Sequence, residues 1–134
     1  MNLVKYYNDN ISAIYQRVLA LYNRGQPAYE SDVDVPKLSL VPVPTGDKLN
    51  RAVYLWTIDC IRQLEAVING LVDVFNDYGI IDYELGDTPE IELWLPERLA
   101  IDDIYIAKLS DNFEICNKTL DGLDKNLQPF LAGM

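Results

Sequence analysis

Apolar residues recur at alternating spacings of three and four along three stretches of this chain. Val4, Tyr7, Ile11, Ile14, Val18 and Leu21 keep that spacing in the first, and Ile61, Leu64, Ile68, Leu71, Phe75 and Tyr78 in the second. In the third it runs through Leu99, Ile106, Leu109, Phe113, Cys116, Leu120, Leu123 and Leu127, interrupted at Asp102. Such a period lays one apolar stripe along a helix and marks a seam of the coiled-coil or helix-bundle kind. The pattern predicts helices over approximately 3–23, 46–79 and 96–127.

Local signals set the boundaries. Gly25 and Pro27 close the first helix, one as a left-handed cap and the other as a residue that cannot continue it. Thr45 or Asp47 caps the start of the second, and Gly79 ends it, with Ile80 placed for the hydrophobic contact of a Schellman stop. Pro96 suits the first position of the third helix, Glu97 its first turn, and Pro129 its end. The central helix carries a second stripe of Val53, Trp56, Cys60, Val67 and Val74, which implies more than one neighbouring helix. Gly70 and Gly122 fall inside predicted helices and read as points of close helix approach.

The connections are not helical. Residues 24–45 contain Pro27, Pro36, Pro42 and Pro44, so this arm is expected to be extended, and it is long for a connection within a domain. Leu38, Leu40, Val41 and Val43 need a surface to lie on, either this chain's helices or a neighbour's. An edge strand over 37–41, suited to strand addition, is the other reading. Residues 80–95 alternate apolar with acidic around a Gly86-Asp87-Thr88-Pro89 turn signal, which predicts a short acidic β-hairpin; a short helix opening at Thr88-Pro89 is the alternative. Folding the central and last helices antiparallel about Thr88 sets Cys60 and Cys116 at one level. The fold class read from all this is mainly α: one domain over 1–134, a three-helix bundle with an extended arm and a hairpin.

Composition narrows the function. At 134 residues and 49% hydrophobic, the chain is long enough for one packed core. Eleven basic against twenty-one acidic residues give a formal charge of −10, with the basic residues scattered singly. That disfavours direct nucleic-acid binding and anionic membrane surfaces, and leaves basic protein surfaces as allowed partners. The most hydrophobic helix is broken by Asp59, Arg62, Glu65 and Asp73, so no membrane span is expected. The first residues lack the pattern of a signal peptide, which points to a cytoplasmic or virion location.

Catalytic chemistry is sparse. Histidine is absent, which removes Ser-His and Cys-His nucleophile systems and every histidine-dependent metal site. Two separated cysteines make no zinc site, and they read as buried free thiols, a disulfide being the alternative. The glycines are isolated, so no phosphate loop is present. Asp59, Glu65, Asp73, Asp102, Asp103 and Glu114 lack the Glu-to-His spacing of helical di-metal sites, and the hairpin acids do not match a calcium loop. No catalytic residue, cofactor or metal is therefore assigned.

What remains is interaction. Nine tyrosines and two tryptophans crowd a small chain, and Tyr and Trp favour interfaces because one end is apolar and the other hydrogen-bonds. The candidate interface residues are Tyr7, Tyr15, Tyr22, Leu38, Leu40, Val41, Val43, Ile68, Leu71 and Phe75. The candidate docking set for a basic partner is Asp82, Glu84, Asp87, Glu90 and Glu92. The expected function is a non-enzymatic structural or assembly protein that oligomerises through its helices and arm, by architectural analogy a phage head, neck or tail component. The alternative is a small acidic inhibitor of a basic protein surface.

Overall fold

The computed structural model describes residues 3–29, 51–82, 88–97 and 103–134. Within them the chain is mainly helical and contains no strand. The elements are α1 (Leu3–Arg24), the single turn α2 (Gln26–Tyr29), α3 (Arg51–Asp77) and α4 (Asp103–Ala132). No described helix is long and apolar enough to cross a membrane.

Burial follows the sequence stripes. Val4, Tyr7, Ile11, Ile14, Val18 and Leu21 of α1 are all buried, as are Leu109, Phe113, Cys116, Leu120, Leu123 and Leu127 of α4. On α3 both stripes are largely covered: Ile61, Leu64, Ile68, Leu71 and Phe75 from one, Val53, Trp56, Cys60 and Val67 from the other. Tyr78 is the exception, 41% exposed beyond the end of the helix. These side chains form one core between α1, α3 and α4.

The direction of the helices departs from the antiparallel expectation. Tyr6 bonds Ser110 at 2.9 Å, Arg17 reaches Asp121 at 2.6 Å, and Arg24 pairs with Asp124. Later residues of α1 thus meet later residues of α4, so the two run parallel. Tyr7 lies 5.7 Å from Trp56, and Tyr29 lies 6.5 Å from Phe75, ring centre to ring centre, which sets α1 parallel to α3 as well. All three long helices therefore point the same way. At about 1.5 Å per residue α3 is roughly 40 Å long, and residues 88–97 run back along it.

The predicted hairpin is replaced by that return path. Residues 90–96 are extended but belong to no sheet. The alternation read as a strand is real, because Leu93 is buried while Glu90 and Glu92 are exposed. Its hydrogen-bond partners are helix side chains instead of a second strand. Residues 83–87 of the predicted hairpin, with Gly86 and Asp87 of its turn signal, lie outside the described residues, as does most of the predicted arm, 30–45.

Other boundaries shift for identifiable reasons. The arm does not begin extended at 24: α2 forms, with Pro27 in its first turn where a missing N–H is not needed. The Tyr29 hydroxyl donates to the Tyr22 carbonyl and folds the ring back over Gly25, where a Cβ would lie 2.5 Å from the Tyr29 oxygen. Gly79 ends α3 as expected, with φ +75°, and Ile80 donates to Phe75 O at 2.8 Å. Pro96 does not open the last helix; it ends the extended segment, its carbonyl accepting from the Tyr54 hydroxyl at 3.0 Å. Pro129 does not stop α4, which continues to Ala132. Both Pro129 and Lys125, whose carbonyl loses its helical partner, are exposed, so water can take the freed acceptor.

Candidate functional site

Residues 88–97 form a strap lying antiparallel to both α3 and α4. On the α3 side, Asn69 grips Ile91 twice, accepting from its N–H at 2.7 Å and donating to its carbonyl at 2.9 Å. One helical turn earlier the Glu65 carboxylate accepts from Leu93 N–H at 2.6 Å, a charge-assisted bond. On the α4 side, Asn112 grips Trp94 in the same two-handed way, both bonds at 2.8 Å. Side-chain amides thus replace the neighbouring strand that an extended backbone would otherwise pair with. At about 0.5–1.5 kcal/mol net for each, these five bonds contribute roughly 3–7 kcal/mol, against a total stability of about 5–15 for an ordinary domain.

Side chains add to the hold. Leu93 is buried, and Trp94 meets Tyr105 edge-on at 5.8 Å with the Lys108 ammonium 5.1 Å from its ring centre. At the far end of the strap, Thr88 packs on Gly122, where a Cβ would sit 3.0 Å from Thr88 Oγ1. Gly122 therefore serves close approach of the strap, not of another helix. Gly70 has nothing within 4 Å, so no such role falls to it. Between the strap and α4 an open groove of about 500 Å³ is lined by Pro89, Glu90, Ile91, Ile115, Lys118 and Thr119 among others.

The candidate interface residues separate into three groups. Tyr7, Tyr22, Ile68, Leu71 and Phe75 are buried inside this chain. Tyr15 is half-buried against the core. Leu38, Leu40, Val41 and Val43 lie outside the described residues. Among the acidic set, Asp82, Glu90 and Glu92 are exposed, while Glu84 and Asp87 lie outside the described residues. Glu90 is hydrogen-bonded to Asp73, which together with the like charge holds its carboxyl above the usual range.

The remaining reactive groups sit in the core. Cys60 and Cys116 are free and buried, with no disulfide between them. Desolvation, reinforced by Asp59, raises the Cys60 thiol to about 12. Burial, with a smaller contribution from the Glu65 charge, raises Cys116 to about 12 despite a backbone hydrogen bond that favours its thiolate. The Tyr7 hydroxyl, buried beside both thiols, is raised mainly by desolvation. Neither it nor the Trp56 Nε1–H has a hydrogen-bond partner among the described residues. Thiols in this state are poor nucleophiles and poor metal ligands. No cluster of metal-binding side chains occurs among the described residues.

Sequence reasoning did not single out Asn69 and Asn112 as strap-holding residues. The available signal was Asn112 itself, a polar residue beside Phe113 within an otherwise apolar stripe. Large exposed apolar residues were also missed: Leu55 (50%), Ile104 (66%) and Met134 (68%), joined by Tyr78 and Ile115. No family model, curated protein or solved structure matches this chain.

Proposed function

We propose that this chain is a non-enzymatic structural protein that works by assembling with other copies or with a larger protein framework. One observation carries the reading: large apolar side chains stay at the surface of a small domain whose core is already filled. Leu55, Tyr78, Ile104, Ile115 and Met134 are each 39–68% exposed. Single exposed apolar residues are common, so the weight lies in their size and number on so short a chain. The raised, buried thiols support the non-enzymatic part, because they remove the two strongest candidate nucleophiles. A phage head, neck or tail component remains the architectural analogy for such a part.

Size-exclusion chromatography with light scattering tests the reading over a concentration series. A mass above one chain at micromolar concentration supports self-assembly, and one chain mass throughout removes it. The inhibitor alternative rests on exposed Asp82, Glu90 and Glu92. It predicts a monomer whose binding to a basic partner is abolished by reversing those three charges.

A further inference from the structure

The strap is gripped unevenly along its two edges. In extended backbone the N–H and C=O groups of successive residues point to opposite sides. Ile91 and Leu93 turn theirs to α3, where Asn69 and Glu65 engage them. Trp94 turns its pair to α4, where Asn112 takes both groups. By the same alternation Glu90 and Glu92 face α4, and neither backbone pair has a partner among the described residues. The α4 side chains opposite them include Ile115 and Thr119, which lack the paired donor and acceptor of an asparagine.

The groove of about 500 Å³ opens at this place. Ile115 on its α4 wall is 39% exposed, and Ile91 on its strap wall is half-buried. Thr88, buried at one end, has a hydroxyl without a partner among the described residues. The two free backbone pairs stand two residues apart, about 7 Å, which is the repeat of another extended chain. An unpaired strand edge beside an apolar wall therefore calls for an extended segment.

Charge narrows the occupant. The Glu90 carboxyl is hydrogen-bonded to Asp73 and feels its like charge, and Glu92 is exposed on the same strap. Lys118 is the one cation lining the groove, and it stands on the opposite wall. The strap side lacks a base. This chain supplies a segment of the required kind: from Val35 to Gly46 its single charged residue is Lys37, in the run Lys37-Leu38-Ser39-Leu40-Val41 that reads as an edge strand. Those residues lie outside the described ones. In a strand Lys37 and Ser39 share one face and Leu38 and Leu40 the other. The strap divides the same way, with Glu90 and Glu92 exposed while Ile91 is half-buried and Leu93 buried. Reach is sufficient. Tyr29 lies beside Phe75 and Tyr78, and Arg51 opens α3, so residues 30–50 join points roughly 40 Å apart with about 70 Å of chain at full extension.

We propose that residues 37–41 of a second copy dock in this groove as a strand added to the strap. This rests on the assembly reading above and names the contact that carries it. The added strand bonds the free backbone groups of Glu90 and Glu92. Its Lys37 lies beside the Glu90 and Asp73 carboxyls, and its Leu38 and Leu40 cover Ile91 and Ile115. Lys118 and Thr119 donate to carbonyls on its far edge.

Sedimentation velocity over a concentration series compares the full chain with two variants. The arm variant carries Leu38→Asp with Leu40→Asp. The groove variant carries Ile115→Lys with Glu92→Pro, which removes a free N–H from backbone that is already extended. Circular dichroism checks the helices; where Glu92→Pro disturbs them, Glu90→Lys with Ile115→Lys, both at exposed positions, takes its place. The parent should exceed one chain mass, and each variant alone should sediment as a single chain. Mixed in equal amounts, the variants should form a pair of two chain masses, because one keeps its groove and the other its arm. Hydrogen exchange at the Glu92 amide should slow as parent concentration rises and stay fast in the arm variant. Where the parent assembles, variants that assemble like it, or that stay single when mixed, overturn the strand contact and leave the assembly reading standing. A parent at one chain mass throughout refutes both, even where a protected Glu92 amide shows the groove filled within one chain.

Discussion

Replacing Asn112 by Asp is the most informative single change in this molecule. The two side chains are nearly the same size, so packing against the strap is preserved. One oxygen still accepts from Trp94 N–H, but the Nδ2 donor, 2.8 Å from the Trp94 carbonyl in the parent, becomes a second oxygen facing that carbonyl. The residue is 2% exposed, so water cannot intervene readily. Losing the bond and leaving a carbonyl and a carboxylate opposed costs about 2–4 kcal/mol. For a domain of this size that lowers the melting temperature by roughly 10 °C. Urea unfolding followed by tryptophan fluorescence measures the loss. Hydrogen exchange at the Ile91, Leu93 and Trp94 amides should accelerate beyond the change in global stability. The deficit also carries a pH signature. The new carboxyl has a raised pKa in the folded state, so the penalty is complete at neutral pH and fades as pH falls toward about 4, where both states are protonated. An Asn112→Asp chain within 0.5 kcal/mol of the parent at pH 7 would refute the claim that helix amides hold the strap.

Three further outcomes are expected. Gly25→Ala should destabilise by about 1–3 kcal/mol in thermal melts, because its Cβ would displace the Tyr29 ring, and the loss should largely vanish in a Tyr29→Ala background. The pair Thr88→Cys and Gly122→Cys should oxidise to a disulfide, since a Cβ at Gly122 lies 3.9 Å from Thr88 Cβ; a third and fourth thiol still titrating after mild oxidation would contradict that register. Cys60 and Cys116 should resist iodoacetamide at pH 8 until the chain is unfolded. Because both thiols are raised to about 12 in the folded state, the unfolded chain releases their protons first, so stability should be full below pH 9 and decline as pH climbs toward 12.

The helices were legible in the sequence and their direction was not. A three-four spacing reports which face of a helix is buried, and Val4 through Leu21 are buried along the whole predicted stripe. The same spacing is symmetric to reversal. Direction is decided by the connections, and the alternation from Glu90 to Leu95 fits a hairpin strand and a lone strap equally well. Both bury every second side chain; they differ in what the backbone bonds to, which periodicity does not report. The aromatic count was informative about burial and less so about surface. Tyr7 and Tyr22 pack into the core through contacts with Trp56, Phe113 and Tyr29, because parallel α1 is covered by both other long helices. Exposed Leu55 and Ile104 lie off every predicted stripe, so the spacing gives no signal for them.

The contact between the first and last helices also governs the order in which the chain can fold during synthesis. The partners of α1 on α4 are about a hundred positions away: Tyr6 waits for Ser110, and Arg17 for Asp121. Helical bundles ordinarily fold fast because their contacts are local; this one closes its longest loop last. While the ribosome is still making α4, the apolar face of α1 has only α3 to cover it. Val4, Ile11, Ile14 and Val18 therefore wait for their last covering helix until synthesis of the chain is nearly complete. A nascent chain halted before residue 110 should therefore be protease-sensitive throughout α1, whereas the released full chain should protect it.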